Sequence, residues 1–245
     1  MDKPDDREGL AEKGFLSAEI EIFRAVQRDK YQQSFFDAET ASGSAYQLMM
    51  AAGADLSQPH MIASLTFLQR TVRSCQAAII LCERGLVVDA QTLTRSAVEA
   101  LFYAGALIND PSVFCRIARE GDIAEAKQAK AMIRSLSGKG LTEQNIADLN
   151  EVSRRADGGG AGFSCFDAAG VADLIPLYDT IYRGLSGVAS HATFRSMDSS
   201  ILMRDDVPAL ITGPTDYHLE FTLGLIKVCL DVSSIKLREN FIFDE

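Results

Sequence analysis

The stretch that decides the fold runs from Pro59 to Gly85 and reads PHMIASLTFLQRTVRSCQAAIILCERG. Met61, Leu65, Leu68, Val72, Cys75, Ile79 and Cys82 step by 4, 3, 4, 3, 4 and 3. That spacing lines the apolar residues along one face of an α-helix. Pro59 suits the first turn of such a helix, and Gly85 suits its C-terminal end. Two further stripes follow the same rule. One is Val171, Leu174, Tyr178, Ile181, Leu185 and Val188; the other is Phe221, Leu225, Val228, Val232 and Ile235. Strict apolar–polar alternation is nearly absent. Amphipathic helix faces must cover one another, so the expected fold is all-α. It is a single-domain antiparallel bundle of seven or eight helices with at most one short hairpin.

Working outward, residues 15–40 predict a first helix ending near Ser42-Gly43, and 44–52 continue it past a kink. Asp89 is placed to cap a helix through Leu107. Asn109-Asp110-Pro111-Ser112 breaks the chain and restarts it. Residues 112–136 are charged and amphipathic, and Thr142 opens a short helix to Arg155. The chain is expected to form one domain over 1–245, with a disordered tail at 1–14, a glycine-rich flexible loop at 156–166 and a long loop at 198–214. The helix at 215–238 is apolar nearly all round, which places it in the bundle centre.

Composition bounds the function. The 245 residues carry 24 Lys plus Arg against 34 Asp plus Glu, a net charge of −10. A protein dedicated to duplex DNA needs a large basic footprint, so no duplex DNA is expected. No apolar run is long enough to span a bilayer, and the acidic start (Asp2, Asp5, Asp6, Glu8) is no signal peptide. The cysteines are Cys75, Cys82, Cys115, Cys165 and Cys229, an odd number with no C-x-x-C pair. They read as small apolar side chains in a reducing cytoplasm, not as a disulfide or zinc framework. A nucleotide-cradling G-x-x-x-x-G-K-[ST] loop and the E-x-x-H pair of di-iron bundles are both missing. Neither a metal nor a cofactor is expected.

The remaining signal is a set of polar residues on apolar helices. Arg95 and Glu99 stand four apart on a segment otherwise rich in Ala, Val, Leu and Phe. Tyr182, Ser186 and Ser190, also four apart, form a polar ridge beside the 171–188 stripe. His191 follows at a helix end, where the dipole favours it. Arg183, Arg195 and Arg204 face only Asp198 over 181–204, a locally positive segment in an acidic chain. His218 opens the last helix and is placed to return toward His191.

The helix Arg95-Ser96-x-x-Glu99, followed by Tyr182-x-x-Leu185-Ser186 and His191, resembles an uncharacterised family of bacterial all-helical proteins, marked by R-[ST]-x-x-E and Y-x-x-L-S…H segments. More distantly it resembles the HEPN superfamily of helical bundles, in which R-x(4–6)-H on one helix cuts RNA without a metal. That resemblance implies a homodimer of toxin or anti-phage type. Two functions follow as expectations. The first is a cytosolic interaction or ligand-binding protein whose pocket is lined by Arg95, Glu99, Tyr182, Ser186 and Ser190. The second is a metal-independent ribonuclease acting on an RNA partner, with His191 as general base and Arg183 or Arg195 stabilising phosphorane charge.

Overall fold

The structure is a computed structural model, and it describes residues 9–53, 57–136, 138–155, 162–190, 194–204 and 206–242. The long helices are α1 (Ile20–Lys30), α2 (Gln32–Ala51), α3 (Pro59–Glu83), α4 (Val87–Asn109), α5 (Phe114–Leu136) and α6 (Glu143–Arg154). Then come the short α7 (Cys165–Val171), a composite helix α8 over 175–190, and α9 (Leu219–Phe241). A two-stranded antiparallel hairpin, β1 (Ile201–Arg204) and β2 (Val207–Leu210), pairs Ile201 with Leu210 and Arg204 with Val207. Among the described residues the fold is all-α apart from this hairpin.

The chain is cut into more helical pieces than the seven or eight expected. Three breaks explain this. Tyr31 leaves helical geometry between α1 and α2 (φ −115°, ψ 34°), so the expected first helix is two. Ser42-Gly43, by contrast, lies inside α2, which runs on to Ala51. The 171–188 stripe is interrupted by Asp173 in the left-handed region (φ 57°) and by Pro176. Beyond that proline, α8 is part π-helical, at Tyr178–Tyr182 and again at Ser186–Ser190. Two boundaries also shift. A helical turn occupies Leu10–Lys13 within the expected tail, and α7 starts at Cys165 within the expected glycine-rich loop. Residues 1–8 and 156–161 lie outside the described residues.

The centre of the bundle is α4, not the last helix. Alanine and glycine recur along α4 (Ala90, Ala97, Ala100, Ala104, Gly105), so neighbours approach it closely from several sides. A Cβ on Gly105 would stand 2.8 Å from the Ala172 Cβ. Thr71 Oγ1 donates to the Ala97 carbonyl and Ser64 Oγ to the Ala104 carbonyl, which ties α3 to α4 in antiparallel register. On α9 the stripe chosen from sequence runs along the edge of the buried face, with Leu225 and Val232 partly packed against the core. Phe221, Val228 and Ile235 are exposed, while Leu223, Ile226, Leu230 and Leu237 are buried. A helix apolar all round gives no periodic signal to choose between its faces.

One continuous core nonetheless joins residues on both sides of the glycine run. Phe35, Val72, Val98, Phe102, Phe163, Ile181, Leu223 and Ile226 all belong to it. Gly85 closes α3 as expected, with φ +76°. It is doubly constrained, because a Cβ there would meet Pro214, Phe23 and the Thr215 backbone at 2.6–2.8 Å. At the rim, α5 and α6 pair as a charged layer, and Arg119 reaches the Arg155 carbonyl at 2.7 Å.

Candidate functional site

The polar residues singled out on α4 and α8 meet. Arg95 Nε donates to Ser186 Oγ at 2.9 Å, and Arg95 Nη2 donates to the Tyr182 hydroxyl at 2.7 Å. The guanidinium carbon also lies 4.3 Å from the Tyr182 ring centre, a cation–π contact. Its carboxylate partner is looser: Arg95 Nη1 stands 3.5 Å from Glu99 Oε2. The Arg95 side chain is 20% exposed and that of Glu99 37%. Ser186 Oγ in turn donates to the Tyr182 carbonyl at 2.6 Å.

Local sequence explains how α8 presents these groups. Tyr178 and Tyr182 stack at 5.2 Å, and both rings lie about 6.1 Å from Phe102 of α4. This aromatic wedge fixes the side of α8 that faces α4. The π turns that flank Arg183–Leu185 rotate the hydroxyl ridge relative to a regular α-helix; such turns recur at functional sites.

Two residues join the site that sequence reasoning missed. Cys165 begins α7 close enough to Tyr182 for each group to act on the other's proton affinity. Burial pushes its thiol up to about 11, with the Glu99 charge adding to the rise. Tyr103 donates to the Phe163 carbonyl, and burial pushes its phenol up to about 12. The Tyr182 phenol is raised for the same first reason, burial, and Arg95 opposes the rise. All three groups therefore hold their protons at neutral pH, so Cys165 is no thiolate nucleophile there. The legible signal was Ser164-x-x-Asp167, a capping box in which Asp167 N bonds Ser164 Oγ at 3.1 Å. It sets the start of α7 and so the place of Cys165.

Other candidates stand apart. Arg183 is exposed and pairs along its own helix with Asp179 at 3.4 Å. His191, and the side chains of Ser190 and Arg195, lie outside the described residues. His218 takes the left-handed conformation (φ 60°) ahead of α9, with its ring against Tyr217 and Phe221. It edges a cavity of about 250 Å³ on the far side of α8, lined also by Gln91, Gly184, Val188 and Leu225. Among the described residues no cluster of histidine, cysteine and carboxylates is placed to hold a metal. None of the helices described is long and apolar enough to cross a membrane.

The fold and site define a class: a helical protein in which an arginine of the central helix is clamped by hydroxyls of a part-π helix. The chain belongs to the DUF5677 family, a family of unknown function, whose model matches residues 61–208. That span holds the whole clamp, from Arg95 to Ser186. The chain matches no curated protein and no solved structure.

Proposed function

We propose that the protein is a cytosolic helical binding module that takes a carboxylate-bearing ligand or partner group at the Arg95 clamp between α4 and α8. Arg95 makes the ionic contact, Tyr182 and Ser186 hold its guanidinium, and Glu99 gives way as its weaker partner; Ser190 is the next hydroxyl in the four-residue spacing of the sequence. One observation carries this reading: a largely covered guanidinium is oriented by two neutral hydroxyls and only loosely paired with its carboxylate. Hydroxyls aim a cation without cancelling its charge. A 3.5 Å contact is beyond good hydrogen-bond distance, so an incoming carboxylate replaces a weak partner with a short, charge-assisted bond. The ring contact holds the guanidinium plane in advance, which lowers the entropic cost of binding. Exposed apolar residues, Phe194, Met203 and Leu210 among them, support assembly as a homodimer.

The test is a thermal-shift series with acetate, glutarate and benzoate on wild type and Arg95→Gln. At least one carboxylate is expected to raise the wild-type melting temperature, and none that of Arg95→Gln. A shift that persists in the variant, or no shift in either protein, overturns the reading. RNA cleavage in the presence of a chelator is assayed beside it. Cleavage that His191→Ala abolishes would replace the binding module with the HEPN-like ribonuclease.

A further inference from the structure

We propose a second site, independent of the first: a groove along α3 that binds a small phosphomonoester, with Arg70 and Arg73 as its anion contacts. The groove encloses about 450 Å³ and is lined by Thr66, Gln69, Arg70, Arg73, Ser74 and, from α4, Leu93. The helical repeat builds it. Residues 66, 70 and 73 fall on one face of α3, with 69 and 74 flanking them.

Charge is the deciding observation. Between Pro59 and Cys82 the sequence has no aspartate or glutamate, although the chain as a whole carries ten more acids than bases. Six other arginines (24, 28, 84, 95, 155 and 183) each lie within 4 Å of a carboxylate. Arg70 and Arg73, like Arg116, Arg134, Arg154 and Arg238, have no such partner among the described residues; what sets these two apart is that they share one groove and no acid lines it. Two free guanidinium forks one turn apart match a phosphate dianion, which accepts from both. Beside them the groove offers the Ser74 hydroxyl and the Gln69 amide. The Thr66 hydroxyl already donates to the Ile62 carbonyl at 2.9 Å, so it lines the groove without a proton to give the phosphate. Ala77 and Leu93 give the apolar wall that an organic group requires. The volume suits one compact ligand. A nucleic-acid strand is disfavoured, because it needs a row of cations and the groove supplies two.

Phenyl phosphate is the probe, titrated calorimetrically against the full-length protein, with phenol, inorganic phosphate and a short single-stranded RNA as further arms. Phenyl phosphate is expected to bind and inorganic phosphate to compete with it, while phenol stays silent. Arg70→Gln/Arg73→Gln should weaken phenyl phosphate binding at least about tenfold, the loss of one to two charge-assisted hydrogen bonds. Both arginines are exposed, so the variant keeps the wild-type melting curve. Arg134→Gln, which removes an exposed charge from α5, should bind as wild type does. Absent binding, binding unchanged in the double variant, or RNA binding tighter than phenyl phosphate overturns the proposal. Arg95→Gln separates this site from the first: here it changes nothing.

Discussion

Two clusters of charge hold helices together in this protein, and they are built in opposite ways. Around Glu83 an acid is surrounded by cations. Arg24 Nε and Arg84 Nη1 stand 2.9 and 2.8 Å from Oε1, and Arg28 Nη1 stands 2.9 Å from Oε2. Glu21 and Glu39 complete the set, so three arginines meet three glutamates and the network is neutral. Around Arg95 a cation is held by hydroxyls, with one carboxylate at arm's length. The first arrangement is a closed lock between α1 and the end of α3. The second leaves a positive charge oriented but incompletely neutralised. Position in the chain agrees: Arg95 lies within the family-matched residues, as does Glu83, but Arg24 and Arg28 do not. Two of the three arginines on Glu83, Arg24 and Arg28, come from outside the matched region, whereas the clamp is complete inside it.

The sharpest way to break this comparison is to remove Glu83. Its side chain is 7% exposed, so its loss leaves three arginines against two glutamates, Glu21 and Glu39, around a covered point. Breaking a buried pair in this way costs about 3–5 kcal/mol. Because the arginines are each about a third exposed and solvent screens them, about 2–3 kcal/mol is expected for Glu83→Gln. Chemical denaturation measures it. A loss under about 0.5 kcal/mol, the range of an ordinary surface change, would mean that the network is no lock.

The clamp should respond less in stability and more in ligand response. Tyr182→Phe removes one hydrogen bond to a charged group and keeps the aromatic wedge. It should cost about 1–2 kcal/mol. Arg95→Met should cost a similar amount, and the double variant less than the sum, because both changes delete one interaction. Full additivity in that cycle would show that the 2.7 Å contact carries no energy.

Much of the fold was legible because α3 is amphipathic and punctuated. Its stripe, its proline and its glycine all mark what the structure shows. The last helix was not legible in the same sense: Leu223 and Phe221 are equally apolar, and only packing against α2 and α3 decides which is buried. The site was half legible. Arg95 and Tyr182 stood out as polar groups on apolar helices, and the structure joins them. The closeness of Cys165 depends on a cap sixty residues beyond Tyr103 and on the path into α7, which no periodic pattern encodes. Arg70 and Arg73 were passed over because a charge on the outer side of a stripe reads as ordinary solvated surface. What sets them apart is the acid-free run around them.

The smallest expected effect sharpens the view of the clamp as a covered, proton-holding site. The Cys165 thiol ordinarily ionises near pH 9, and burial raises it to about 11. The sign follows from linkage. Below pH 9 the thiol is protonated in both folded and unfolded chains, so its full contribution to stability is present. Between about 9 and 11 the unfolded chain releases the proton and the folded one does not, so stability falls as pH rises. The phenols of Tyr103 and Tyr182 act in the same direction at somewhat higher pH. Cys165→Ala should therefore flatten the decline between pH 9 and 11. Alkylation gives an independent readout. At pH 8 iodoacetamide should label the exposed Cys115 first and leave Cys165 largely unmodified, while the buried Cys75, Cys82 and Cys229 react only on unfolding. Cys165 should begin to react as the pH approaches 11. Rapid labelling of Cys165 at pH 8 would mean that a thiolate is stabilised beside Arg95. The site would then be a reactive one, and the contrast with the closed Glu83 lock would be larger than the hydroxyl clamp alone implies.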